Sequence, residues 1–214
     1  MGRKKIRKIP QETIRRMALY LRSLKKLKEQ KFQIISSNKI TAYLNVSPDQ
    51  FRKDLSYFGP VGKPGVGYRV NNLIHHLEKI LGIDRECRII LVGVGKLGSA
   101  LLGYPGFLNF NFTIVAAFDS DKEKIGKIIG HVKIYDVSEM AKIVPRLGVQ
   151  LAILTVPAEN AQQVAEKLVS CGIRGILNFA PVNLNLSQTI RVLNVDMATE
   201  LMTLTYFAKK ILAG

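Results

Sequence analysis

Apolar residues recur at three- and four-residue spacing through Ile14, Met17, Leu21, Leu24 and Leu27, which predicts a helix from about Gln11 to Gln30. Arg15, Arg16, Arg22, Lys25 and Lys28 occupy its other positions. After "KFQIISS", a serine cap predicts a short helix over about Asn38–Leu44, and "NVS" then turns the chain. A third helix begins at "SPDQ": Ser47 is its cap, Pro48 suits the first helical position, and Gln50 sits where a capping box needs it. Phe51, Leu55 and Phe58 line its inner side, which leaves Gln50, Arg52, Lys53 and Ser56 facing outward. Two short helices joined by a tight turn are the pattern of a helix-turn-helix. "GPVGKPGVGYRV" follows, with four glycines and two prolines in twelve residues. That is the composition of a tight hairpin, the wing of a winged helix, with Lys63 near the tip and Arg69 in the returning strand.

Beyond the hairpin the periodicity changes. A helix over Asn71–Ile83, with Leu73, Leu77, Ile80 and Leu81 inward, is expected to join two domains. Apolar strands then alternate with helices. The strands are Ile89–Val92, "FTIVAAFD", "VKIYD", "VQLAILTVP", "GILNFAP" and "IRVLNVD"; the helices include "VSEMAKIV" and "AENAQQVAEKLVSCG". Buried strands separated by helices predict a parallel doubly wound sheet. The expected fold is therefore α/β: a winged helix-turn-helix domain over 1–82, a Rossmann-type domain over 83–196, and a C-terminal helix over 197–214. Met197, Leu201, Leu204, Ala208 and Ile211 form a stripe on that helix, widened by Leu193, Met202 and Phe207. A stripe so broad is expected to meet a second subunit, with Leu201 and Leu204 at the interface; the alternative is a core helix of the same chain.

Charge is unevenly spread. The net +16 comes mostly from residues 1–70, which carry 17 Lys/Arg against 4 Asp/Glu, while residues 71–214 carry 15 against 12. A local excess of +13 makes nucleic acid the leading partner of the first third, with a basic membrane-facing surface as the alternative. No apolar run is long enough to span a bilayer, and "MGRKKIRKIPQETIRRM" lacks the apolar centre of a secretory signal, so a cytoplasmic protein is expected. Cys87 and Cys171 have no CxxC spacing, and adjacent His75 and His76 make a poor metal pair, so no metal site is expected.

The strongest chemical signal is "CRIILVGVGKLGSALLGY". An apolar strand runs into Gly93, Gly95 and Gly98 in GxGxxG spacing, the turn that places a dinucleotide pyrophosphate at a helix start. The next strand ends at Asp119, 21 residues after the last glycine, where a carboxylate holds the adenosine ribose and favours NAD(H) over its phosphorylated form. Lys122 and Lys124 soften that preference. Ligands in such sheets lie beyond the carboxyl ends of the strands, which adds Thr155, Val156, Pro157, Phe179 and Ala180 to the loop residues Gly93, Val94, Gly95, Lys96, Leu97 and Gly98. A dehydrogenase also needs a proton donor and a substrate domain. Neither is evident, so binding without chemistry is the simpler reading, with a small oxidoreductase and a nucleic-acid packaging protein as rivals.

"FRKDLSYFG", "GVGYRV", "GVGKLGSAL", "YPGF", "LTVPAE" and "GIRGILNFAPV" resemble the signature stretches of the Rex redox-sensing transcriptional repressors, from about Ile9 to the C-terminus. The resemblance implies a homodimer that binds palindromic operators when NADH is scarce and leaves them when NADH binds, NAD+ competing without causing release. It implies a C-terminal helix swapped between subunits and Arg52 and Lys53 on the DNA-reading helix. It also implies an intersubunit pair between Arg22 and Asp196, and Tyr104 near the nicotinamide. The wing departs from the family pattern, with Lys63 followed by Pro64 before "GVGY". Minor-groove contact is then expected to be weaker or to shift to Lys63, with phosphate contacts from "GRKKIRK" compensating.

Overall fold

α1 (Gln11–Glu29) buries Thr13, Met17, Tyr20, Leu21, Leu24 and Leu27. Met17, Leu21, Leu24 and Leu27 face inward as expected, but Thr13 is buried in place of Ile14, which is 37% exposed, and Tyr20 joins the stripe wholly buried. The cause lies at Thr13 and Tyr20, whose hydroxyls turn inward to a buried carboxylate described below. The structure, a computed structural model, describes residues 9–62 and 65–212, the side chains of 211 and 212 excepted. The basic head, the wing-tip Lys63 with Pro64, and the Ile211 side chain therefore lie outside the described residues.

The chain divides into two compact units, 1–85 and 86–214. In the first, β1 (Ile34–Ile35) leads to α2 (Ser37–Thr41), shorter than the spacing predicts, with Ser36 accepting a hydrogen bond from the Lys39 N–H as its cap. α3 (Pro48–Ser56) starts as expected, Ser47 Oγ accepting from the Gln50 N–H. β2 (Tyr68–Arg69) pairs antiparallel with β1, which precedes α2, and no strand precedes β2 among the described residues of 59–67, so the hairpin expected within 59–70 is a loop returning to β1. Gly67 makes this pairing possible: its φ is +91°, and a Cβ there would stand 2.6 Å from the Ile35 carbonyl oxygen. α4 (Val70–Leu81) buries Leu73, Ile74 and Leu77, whereas Ile80 and Leu81 are only half-buried. Tyr20, Phe51 and Tyr68 form a run of edge-on rings, 4.7 and 5.4 Å between centroids, that joins α1, α3 and β2. Phe58, expected inside, is half-buried because it follows the last turn of α3.

The second unit is built on β3 (Cys87–Val92), α5 (Lys96–Leu102), β4 (Phe112–Asp119), β5 (Ile128–Ile129), β6 (Val132–Asp136), α6 (Met140–Leu147), β7 (Leu151–Leu154), α7 (Ala158–Ser170), β8 (Gly175–Asn178) and β9 (Arg191–Asn194). The sheet order is β5-β6-β4-β3-β7-β8-β9, parallel except for β5, which pairs antiparallel with β6. Without β5 this is the 3-2-1-4-5-6 order of dinucleotide-binding sheets, whose order reverses between β3 and β7.

Two features differ from the expected alternation. β5 and β6 form a hairpin through Gly130, a two-residue strand too short to leave a periodic signal. More consequentially, no helix stands between β8 and β9, and β9 is mostly exposed. The crossover is held instead by Asn178, fully buried, whose Nδ2 donates to the Ala180 and Val182 carbonyls and to Asn194. Gln162 of α7 clamps it further by exchanging two hydrogen bonds with the Asn185 backbone, both 2.9 Å. Val182, Leu184 and Leu186 thus pack on the side of the sheet covered by α6 and α7. The opposite side is covered over β3, β4 and β6, but over β7–β9 it carries an apolar groove of about 330 Å³ lined by Phe107, Phe112, Leu151, Ile153, Leu177 and Leu193.

α8 (Met197–Leu212) ends the described chain. Leu201 and Leu204 are each 62% exposed, and Met197, Met202, Tyr206 and Phe207 are exposed as well, which rules out a core helix of its own chain. Among the described residues no helix is long and apolar enough to cross a membrane, and no cluster of His, Cys, Asp or Glu could hold a metal ion.

Candidate nucleotide cleft and DNA-reading helix

The glycine-rich turn after β3 is fixed by close packing. Gly93 has φ +98°, and a Cβ there would lie 2.7 Å from the Thr155 carbonyl; a Cβ on Gly98 would lie 1.9 Å from the Gly93 carbonyl oxygen. Thr155 locks the turn, its Oγ1 donating to the Gly93 carbonyl at 2.7 Å and its N–H to that of Val92 at 2.9 Å. Gly95 differs: nothing lies within 4 Å of where its Cβ would be. That open side is where a bound phosphate can approach backbone, so the turn fits the group its spacing implies.

A cleft of about 840 Å³ opens at the carboxyl ends of β3, β4, β6 and β7, a size that suits a dinucleotide. Gly93, Gly95, Asp119, Thr155, Val156 and Pro157 line it as expected. Val94 and Gly98 are buried behind it, supporting the turn, and Lys96 and Leu97 stand outside its lining. Ala180 is buried in the crossover, its N–H donating to Asn178 Oδ1, and Phe179 packs on the α5 side of the sheet. Tyr104 is also absent from the lining; it is half exposed and stands edge-on to Phe107 at 5.1 Å, its ring covering Gly106.

Asp119, only 8% exposed, has both oxygens engaged by backbone: Oδ2 accepts from the Val94 N–H at 2.6 Å and Oδ1 from the Asp121 N–H at 2.8 Å. It therefore braces the glycine turn as well as lining the cleft. Lys124 answers two carboxylates, 3.6 Å from Asp119 and 3.3 Å from Asp121. The Glu123 N–H, and then Lys124, hold the Asp121 carboxyl below the usual range. The Lys124 ammonium titrates above its ordinary value because Asp121 and Asp119 outweigh the opposing desolvation. Asp121, Ser138, Asn160, Gln163 and Lys167 complete the far wall and escaped sequence reasoning. Only the second acid of "DSD" carried a local signal; the α7 residues reach the cleft through tertiary placement.

α3 in the first unit exposes Lys53 and Ser56 as expected, Ser56 Oγ donating to the Lys53 carbonyl at 2.7 Å. Arg52, half exposed, is held in place: Nη1 donates to Ser37 Oγ at 2.7 Å, and Nη2 is paired with Asp49. Arg69 is exposed in β2, and Arg22 is exposed on α1. Gln50 departs from expectation. Its Nε2 donates to Asp54 at 2.9 Å rather than its side chain closing a capping box. Asp54 is fully buried and also accepts from Thr13, Arg16 and Tyr20. In the second unit, Asp196 caps α8, accepting from the Ala198 and Thr199 N–H groups and the Thr199 hydroxyl.

Residues 84–182 match the family model described as a CoA binding domain, and residues 8–56 that of a putative DNA-binding protein N-terminus. The chain is 43% identical over 198 residues to the redox-sensing transcriptional repressor Rex of Chloroflexus aggregans, covering 92% of this chain and 93% of that one. It is 42% identical to the protein of the same name from Desulforamulus reducens, covering 93% and 95%. Among solved structures it superposes on RSP in complex with β-NAD+ and operator DNA with a TM-score of 0.89 at 33% identity, covering 95% of this chain and 94% of that one. RSP in complex with β-NADH gives a TM-score of 0.84 at 32% identity, with 94% and 95% covered. With this identity over nearly its whole length, the chain belongs to the Rex family of redox-sensing transcriptional repressors.

Proposed function

We propose that this protein is a repressor that holds palindromic operator DNA when NADH is scarce and releases it when NADH binds, NAD+ occupying the same cleft without causing release. Residues 1–82 read DNA, 83–196 bind the nucleotide, and 197–214 form a helix exchanged between the two subunits of a dimer. The observation that carries the reading is the pairing, in one chain of this family, of a glycine-turn cleft with a basic helix-turn-helix. Gly93, Gly95 and the backbone between them take the pyrophosphate, Asp119 with Asp121 the adenosine ribose, and Thr155, Val156 and Pro157 the nicotinamide half. Tyr104 reaches the nicotinamide region only in the dimer. Gln50, Arg52, Lys53 and Ser56 face the major groove, with Lys63 and Arg69 serving the wing. Two features support the exchange of α8: its apolar side chains are exposed, and a groove of matching chemistry lies bare over β7–β9. Arg22 pairs with the partner's Asp196 in one dimer geometry, so nucleotide and DNA compete through subunit arrangement.

Moving a population from almost wholly bound to almost wholly released takes about 5.5 kcal/mol of differential affinity, which two clefts per dimer share. The test is fluorescence anisotropy on a duplex selected from a random pool, titrated with NADH and separately with NAD+. NADH is expected to release DNA at concentrations where NAD+ does not. R52A/K53A abolishes operator binding and leaves NADH affinity unchanged. Binding indifferent to both nucleotides would overturn the reading.

A further inference from the structure

The buried carboxylate of Asp54 stands between α1 and α3. Its Oδ2 accepts from Arg16 Nε at 2.6 Å and Tyr20 Oη at 2.8 Å; its Oδ1 accepts from Arg16 Nη2 at 2.8 Å and Thr13 Oγ1 at 3.2 Å. Those four bonds come from α1 and already satisfy a buried ionised group. The fifth, from Gln50 Nε2 at 2.9 Å, comes from α3 itself, one turn earlier. At the third helical position a Gln ordinarily reaches back to the cap backbone, and α3 forgoes that bond. A buried ion pair is weak ground for stability alone, and fixing one geometry is its better-attested use.

We infer that Asp54 is a positioning residue that fixes the amide of Gln50 so that α3 presents it to adenine at one base pair of each half-site. The inference rests on the reading of α3 as the helix that enters the major groove. An ionised carboxylate only accepts, so the NH₂ end of Gln50 is the end that faces it. The Oε1 atom has no partner among the described residues. What remains for a ligand is one carbonyl acceptor and one N–H, held side by side. That pair complements the N6 donor and N7 acceptor that adenine alone displays together in the major groove. Ordering the amide before DNA arrives also removes rotamer entropy that binding would otherwise have to overcome.

The experiment is anisotropy of the full chain on the selected operator and on duplexes with each base pair changed in turn. Wild type is expected to prefer adenine at one position by roughly 5- to 150-fold, the range of a bidentate contact. Q50A loses that preference and keeps the others. D54N, whose side chain can donate as well as accept, loses it equally, and Q50A/D54N loses no more than either. Y20F removes one donor but keeps the carboxylate, so it retains the preference. Undiminished salt-dependent binding to a non-operator duplex reports that the first unit of each variant is folded. If D54N keeps the preference that Q50A loses, Asp54 is structural only and the inference fails. If Q50A loses no base preference, the reading of α3 fails first. A measurement without substitution covers a D54N that does not fold: the Gln50 side-chain amide protons of the free protein should exchange more slowly than those of exposed glutamines. Equal exchange overturns the inference.

Discussion

Asp54 and Tyr20 set opposite limits on stability. Burial alone would raise the Asp54 carboxyl, but hydrogen bonds from Arg16, Tyr20 and Gln50 outweigh it and hold the group below the usual range. A depressed folded value gives stability that is fully present above the unfolded carboxylate value near 3.9 and is lost as pH falls through the folded one. Tyr20 is the converse: burial, then its bond to Asp54, raise it above its ordinary value near 10, so its contribution is complete below that pH and is lost on further alkalinisation. Melting temperature against pH should therefore fall at both ends, with D54N flattening the acid limb and Y20F the alkaline one. Gly98 limits function rather than stability over pH. A methyl group there would stand 1.9 Å from the Gly93 carbonyl oxygen, so G98A must displace the glycine turn. NADH affinity in G98A should drop at least tenfold by calorimetry while the helix-turn-helix still binds DNA. The glycine spacing made this residue legible from sequence, because only a rigid turn needs it. The buried carboxylate was not legible: one Asp on the inner side of a short helix has no local signature, and its four α1 bonds span 34 to 41 positions.

At the scale of elements, the alternation of strand and helix was readable wherever each strand was apolar through its length, as in "IILV" and "LAIL". Between "GILNFAP" and "IRVLNVD" the pattern offers no helix, and there the structure depends on single polar side chains. Asn178 and Gln162 hold the β8–β9 crossover in place of a helix, and two amides leave no periodic mark. The breadth of apolar positions on α8 predicts a surface that needs a partner, and Leu201 and Leu204 are exposed in their own chain. L201E/L204E is expected to convert the proposed dimer to monomers in sedimentation velocity. Each buried leucine contributes roughly 1.5–3 kcal/mol, and the exchange repeats it twice per dimer. Operator affinity should fall with dimerisation, because one bound half-site cannot replace two.

Across the whole molecule, charge and hydrophobic demand are kept apart. Residues 1–70 hold a net +13, and residues 71–214 a net +3. Five of the cations lie in residues 3–8, ahead of the first described element. Deleting residues 2–8 should weaken binding to all duplexes alike and flatten the dependence of log affinity on log salt by about 0.9 for each phosphate that is no longer neutralised. The order of preference among operators should survive, because the proposed base reading resides in α3. The apolar groove over β7–β9 also sets how the protein comes into being. In the proposed dimer that groove is covered only when two chains meet, so the last step of assembly is a collision between them. Its rate and the final stability then both rise with protein concentration, and two alleles expressed together would give mixed pairs in which one defective DNA reader silences its healthy partner.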